Sequence, residues 1–383
     1  MIHNNTIVLN GIAWNHSRAV PPLIATAQRY GELNPHVSVK WEKRSLHEFG
    51  HADLAQLMAR FDMVIMDHPW AGFASKRDIL VPLHDKYPSE FLQDLSSNST
   101  GPSYESYLHE GVLQALPVDG ATPAACRRPD LLPDAPETWD DVLALAREGR
   151  VVMPGFHVDV LLNFMGLCAT LADGRTWTGL ERVAEDDVAL EALDLLKELA
   201  PLLPEDAWNM NPIAVYESLA VGDRLAYCPF AYSYSNYSRR GFCANPLEFS
   251  DTVALRGKHG RIRTIIGGTG IALSRRCGHA EAALDYMSFV ASGTIQGTLY
   301  AECGGQPAHL SAWQDDVVNG LSMNFFKNTL PTMDRSVVRP RHDGSIAFQE
   351  KAGIPIVRFL REGGKAADAL DEVNRLYRDT RVS

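Results

Sequence analysis

The amino-acid sequence reads as an α/β protein folded into two lobes. Three features predict this class. Short apolar strands alternate with amphipathic helices through the first 66 residues, the alternation restarts after residue 137, and 383 residues are long for one hydrophobic core.

Residues 6–12 (TIVLNGI) predict the first strand, which exits into Trp14, Asn15, His16 and Arg18. A helix over 21–30 follows, opened by Pro21 and apolar at Leu23, Ile24 and Ala27. Residues 37–41 predict a second strand, exiting into Glu42, Lys43 and Arg44, and a helical segment over 46–60 leads to a third. That third strand is the short apolar run Val64, Ile65, Met66, closed by Asp67, His68 and Pro69 and followed by Trp70. The β-α-β-α-β order predicts a parallel sheet. In open α/β sheets ligands lie beyond the carboxyl ends of the strands, so the three exits point their acid, imidazole, indole and guanidinium groups at one edge. Asp67 as an ordinary helix cap is the alternative reading of its turn.

His47-Glu48-Phe49-Gly50-His51 is a literal HExxH, which on a helix places two imidazoles on one side with Glu48 as general base. No third ligand stands at a known spacing and Gly50 weakens the helix, so two solvent-facing histidines are preferred over a zinc site. No metal or cofactor is called for.

Composition narrows the partners. Against 47 acidic residues stand 36 Lys and Arg, a formal charge of −11. That balance argues against nucleic acid and anionic membrane, which select basic surfaces. No run of about 18 apolar residues predicts membrane insertion. The first 14 residues show no basic head, long apolar run or cleavage site, so the chain as written is expected to stay in the cytosol. Six scattered cysteines form no CxxC and are expected to be buried thiols, with a Cys228–Cys243 pair left open.

Farther along, residues 111–118 predict a strand ending at Asp119, and residues 123–136, rich in Pro, Arg and Asp, predict a surface linker. Thr138, with Asp141 three residues on, predicts the capped start of a helix over 142–148. Residues 150–153 predict a short strand exiting into Gly155, Phe156 and His157. Residues 158–204 are helical in character, with Trp177 on a glycine-flanked turn. Residues 225–229 predict a strand that runs into an aromatic, hydroxyl-rich loop, Tyr232-Ser233-Tyr234-Ser235-Asn236-Tyr237. Flat rings beside short donors and acceptors suit a polyhydroxylated ligand; an exposed loop is the alternative. Residues 261–266 predict a strand, a turn at Gly267-Gly268-Thr269-Gly270 and a further strand over 271–274, then helices over 279–291 and 366–378. GGTG precedes no helix, which argues against a dinucleotide site.

Four stretches carry a family likeness: residues 61–83 (FDMVIMDHPWAGFASKRDILVPL), 107–119 (YLHEGVLQALPVD), 130–146 (DLLPDAPETWDDVLALA), and 266–308 with its glycine turn, strand, helix and GGQPA loop. In this order the chain resembles an extracellular solute-binding protein of ABC importers, of the maltose-type carbohydrate-binding family. The resemblance implies a periplasmic-binding-protein-like fold, two lobes joined by a hinge and closing on a ligand in the cleft between them. It implies chain crossings near 116–120 and 260–266, hence one lobe of 1–116 with 263–308 and another of 117–262 with 309–383. Mapped by position, the ligand-binding walls fall on Trp14, Asn15 and His16, on Arg44, on Asp67, His68 and Trp70, on Asp119, on Gly155 to His157, on Tyr232 and Tyr234, and on Gly268 and Thr269.

The expected function is a non-catalytic, monomeric receptor for a small polar molecule (a sugar, sugar acid or related organic anion), presented to an ABC importer permease. The resemblance implies a periplasmic location, against the cytosolic one read from the amino terminus. The alternative is a cytosolic enzyme on the same scaffold, with His68 or His16 as general base oriented by Asp67 or Asp119.

Overall fold

In a computed structural model, residues 6–173, 181–257 and 259–382 are described. The turn at Trp177, and the side chains of His47 and His51 from the HExxH motif, lie outside the described residues.

The amino-terminal half builds as its alternation requires. Strand β1 (Ile7–Trp14), helix α1 (Val20–Leu33), strand β2 (Val37–Arg44) and strand β3 (Met63–Met66) follow in order. β1 pairs in parallel with both β2 and β3, and the register sets Trp14 beside Arg44 at the carboxyl edge. The segment expected to be one helix over 46–60 is two, Leu46–His51 and Leu54–Met58, because Ser45 and Asp53 each cap a fresh start. Glu48 closes a capping box on Ser45 there, its carboxylate accepting from the Ser45 backbone N–H at 2.7 Å.

Strand β4 (Leu116–Ala121) belongs to the same sheet, and the chain then passes through Thr122 straight into strand β5 (Pro123–Arg127) of a second one. The composition of residues 123–136 predicts a surface linker, and for residues 123–127 the structure differs. They are instead the central strand of a three-stranded sheet, with Ala124, Ala125 and Cys126 fully buried; small side chains hide a strand whose burial comes from both faces. Helix α2 (Trp139–Arg147) starts at Thr138 with the predicted capping box, Thr138 Oγ1 accepting from Asp141 N–H at 3.3 Å. Helix α3 (His157–Leu171) follows; residues 150–153 contribute only a single bridge, at Val151.

Strands β6 (Tyr227–Tyr232) and β7 (Glu248–Ser250) flank β5 on either side. Residues 261–266 make isolated bridges at Arg261 and Ile265 rather than a strand. GGTG is no turn: it opens strand β8 (Gly267–Leu273), which inserts antiparallel between β3 and β4 and completes the order β2-β1-β3-β8-β4. Gly268 has φ +92°, and a Cβ there would stand 2.1 Å from the Asp119 carbonyl oxygen, so only glycine lets β8 lie this close to β4. Helix α4 (Ala280–Ala291) packs against the first sheet, while helix α5 (Ser345–Glu362) lies on α3 and on the last helix, α6 (Ala366–Val382). Among the described residues no helix is long and apolar enough to cross a membrane.

The Thr138 cap is exposed and local, which makes it a clean probe of helix α2. Thr138→Ala is expected to destabilise the protein by about 1 kcal/mol, read as a lower urea midpoint with an unchanged slope.

Candidate ligand-binding cleft

The carboxyl edge of the five-stranded sheet faces the end of the three-stranded one across a cavity of about 400 Å³. Trp14 from the end of β1 and Asp67 and Trp70 beyond β3 line one side, joined by Gly267, Gly268 and Thr269 from the start of β8. Tyr232 and Tyr234 at the end of β6 face them, with Phe156, Val158, Asp159 and Leu162 from the start of α3. Ile346, Gln349 and Glu350 complete the wall from one face of α5, at the i, i+3, i+4 spacing that puts side chains side by side.

Two guanidiniums stand in this wall, and each is held by a carboxylate. Arg18 donates from Nε and Nη2 to the two Asp119 oxygens at 2.8 and 2.6 Å, and from Nη1 to the Ser233 carbonyl at 2.8 Å. Burial alone would lower the Arg18 pKa; the Asp119 carboxylate outweighs it and holds the charge. The guanidinium lies over the Tyr234 ring at 4.6 Å and the Trp14 ring at 5.4 Å. Arg339 donates from Nη2 to both Asp67 oxygens at 2.6 Å and from Nη1 to Gln349 Oε1 at 2.8 Å. Burial pushes the Asp67 carboxyl up, but Arg339 and His68 pull it down to about 2.

The model of the bacterial extracellular solute-binding protein family matches residues 25–320. The chain belongs to that family. Its fold is similar to that of maltose-bound MalE3 of T. maritima, at 14% identity over 97% of this chain and 99% of that one, with a TM-score of 0.79. It is also similar to an ABC transporter solute-binding protein of Agrobacterium radiobacter K84 in complex with ribitol (18% identity, 98% and 99% covered, TM-score 0.81). A third similar structure is the GacH receptor of Streptomyces glaucescens GLA.O (17% identity, 99% of each chain covered, TM-score 0.78). At such identities the likeness is one of fold. A search of curated proteins gave no significant match.

In this solute-binding protein the residues expected at the cleft divide into two groups. Trp14, Asp67, Trp70, Tyr232, Tyr234, Gly268 and Thr269 line the cavity. Asn15, His16, Arg44, His68, Asp119, Gly155 and His157 do not, each for a physical reason. Asn15 points to solvent at the end of β1. His16 stacks behind Trp14, centroids 5.1 Å apart, and its Nδ1 accepts from the Arg18 backbone N–H at 2.9 Å. Arg44 turns inward, donating to the Ile65 carbonyl at 3.0 Å beneath the Phe49 ring. Asp119 is buried behind Arg18. Gly155 packs against Trp208, where a Cβ would come within 2.6 Å of its Cα. His157 packs at a tilt against Phe156, ring centroids 4.3 Å apart, and it is Phe156 that reaches the cavity.

His68 is fully buried behind Asp67. Arg339 Nε donates to its Nε2 at 3.4 Å, which leaves Nδ1, 3.2 Å from Asp67 Oδ1, as the protonated nitrogen. Burial and then Arg339 lower its pKa to about 4, and burial and then Arg18 lower that of His16 to about 4, so both rings are neutral at pH 7. Among the described residues lining the cavity there is no histidine, so neither candidate base reaches a solute there.

Asp159, Arg339, Asn209, Asn211, Gln349 and Glu350 are polar cavity residues that strand exits do not announce. Asp159 is the most informative. It sits in the first turn of α3, half-buried, with no hydrogen bond or ion pair among the described residues. Burial alone raises its pKa to about 7, and the Tyr232 and Tyr234 rings that face it from β6 supply no positive charge.

Two predictions follow from these charges. Arg18→Met leaves Asp119 buried without its cation and is expected to cost about 3–5 kcal/mol of stability; Arg18→Met with Asp119→Leu is expected to recover most of it in the same urea titration. For Asp159, the folded chain keeps between pH 4 and 7 a proton that the unfolded chain loses, so the residue costs stability as pH rises through that window. Asp159→Asn is therefore expected to stabilise the unliganded protein more at pH 8 than at pH 5, by on the order of 2 kcal/mol at the higher pH. An equal gain at both would contradict the raised pKa.

Proposed function

We propose that this protein is the receptor of an ABC importer, holding a small polar solute in the cavity and presenting it, as a monomer on the outer side of the cytoplasmic membrane, to the permease. The observation that carries this reading is the cavity itself, closed from both sides by residues of the two sheets and their helices and lined by rings alternating with amides and carboxylates. The proposed lobes are residues 1–116 with 263–308 and 117–262 with 309–383, β4 and Thr122 forming one crossing. The 2.7 Å hydrogen bond between Thr122 Oγ1 and Thr264 Oγ1, one residue from each passage between the sheets, supports that division. Closure of the lobes about these crossings would bring the Trp14 side onto the Tyr232 side.

The solute is proposed to be polyhydroxylated. Rings stack on the apolar faces of such molecules, and Asn209 and Asn211 supply amide N–H groups for hydroxyl groups. Similar folds hold maltose and ribitol, which accords with that class. A carboxylated solute is less well served, because Arg44 is turned away and Arg18 and Arg339 are already engaged by carboxylates.

Native mass spectrometry of protein purified without added solute, followed by denaturation, tests the proposal. A released small polar molecule of unaltered structure is the expected result. A molecule converted to product during incubation would replace the receptor by an enzyme.

A further inference from the structure

Resting on the receptor reading above, we infer that the solute carries a positively charged nitrogen, seated against the Asp159 carboxylate between the aromatic walls of the cavity. The first argument is charge balance. Of the cations in the wall, Arg18 is spent on Asp119 and the Ser233 carbonyl, and Arg339 on Asp67 and Gln349. No lysine is among the described residues lining the cavity. Asp159 is left facing the space with no cation against it among the described residues.

The second argument is the surface around that carboxylate. Trp14, Phe49, Trp70, Phe156, Tyr232 and Tyr234 present six rings to one cavity. Aromatic faces attract cations through the ring quadrupole, and more strongly where water is excluded. Trp14 and Tyr234 already hold a cation in this way, the Arg18 guanidinium.

The third argument is what Asp159 forgoes. A carboxylate in the first turn of a helix ordinarily reaches back to cap it, yet α3 has no side-chain cap at all. The Asp159 side chain therefore satisfies nothing of its own element, and burial without a partner is costly to the folded protein. A cationic solute offsets that cost. A neutral polyol offers the carboxylate hydrogen bonds but no countercharge, and an anion is repelled by it.

Binding of two matched pairs of probes at pH 8, followed by calorimetry or tryptophan fluorescence, tests this. The pairs are choline against 3,3-dimethylbutan-1-ol, and N-methylglucamine against sorbitol; within each the shape is similar and the charge differs. The charged member of at least one pair is expected to bind about tenfold or more tightly than its neutral partner. Asp159→Asn is expected to abolish that preference and Asp159→Glu to keep it, with both variants checked for an intact thermal transition. Equal or tighter binding of the neutral members, a preference that survives in Asp159→Asn, or no binding of any of the four overturns the inference. A neutral solute recovered with the purified protein would also overturn it while leaving the receptor reading intact. Failure of any retained or added solute to bind the cavity would instead remove the receptor reading.

Discussion

The cleft depends on one buried ion pair. Arg18 and Asp119 are each almost without solvent contact, so neither charge is tolerable unless the other is held against it, and the bidentate geometry supplies that match. Because the third guanidinium nitrogen bonds the Ser233 carbonyl, the pair ties the entrance of α1 and the end of β4 to the loop behind β6. Trp14 and Tyr234 share this cation, and burial, helped by the same charge, keeps His16 neutral beside Trp14. The walls of the cavity are thus consequences of where that charge is neutralised.

A second polar layer lies where the chain passes between the sheets. The Gln306 side chain donates to the Gly120 and Ser233 carbonyls and accepts from the Ser235 backbone N–H, so one amide spans β4 and the loop after β6. Gly268 brings β8 against Asp119 at the same level, and Gly267 leaves room for the Tyr232 ring, which a Cβ would meet at 2.5 Å. The Gly120 and Ser233 carbonyls and the Ser235 N–H are satisfied here by the one Gln306 amide, which fixes the distance between the two sheet ends. The aromatic cavity opens beside this layer.

Arg339 repeats the logic from the far end of the chain. It reaches Asp67 from the segment preceding α5, and the same guanidinium holds Gln349 on α5. Both arginines are neutralised in this way, whereas Asp159 takes part in no such pair among the described residues.

Much of the scaffold was legible from local pattern. Apolar runs closed by Asp, Asn or Trp located β1, β2 and β3, their parallel pairing followed from the intervening helices, and the Thr138-Asp141 spacing marked the start of α2. Trp14, Asp67, Trp70, Tyr232 and Tyr234 reached the cavity because a strand exit is a local property that sheet topology aims at one edge. Residues 123–127 were misread because Ala, Cys and Pro carry little strand signal, and only burial between two neighbours makes them one. The strand exit at Gly155 to His157 stopped two residues short of Asp159, where the helical spacing from Phe156 would have found it. The order of strands and helices, the caps, and the edge at which ligand-type residues emerge follow from local pattern, since hydrogen bonding and periodicity act over a few residues. Which charges are spent and which is left follows from packing, because Arg18 meets Asp119 across 101 positions and Arg339 meets Asp67 across 272, separations no local pattern spans.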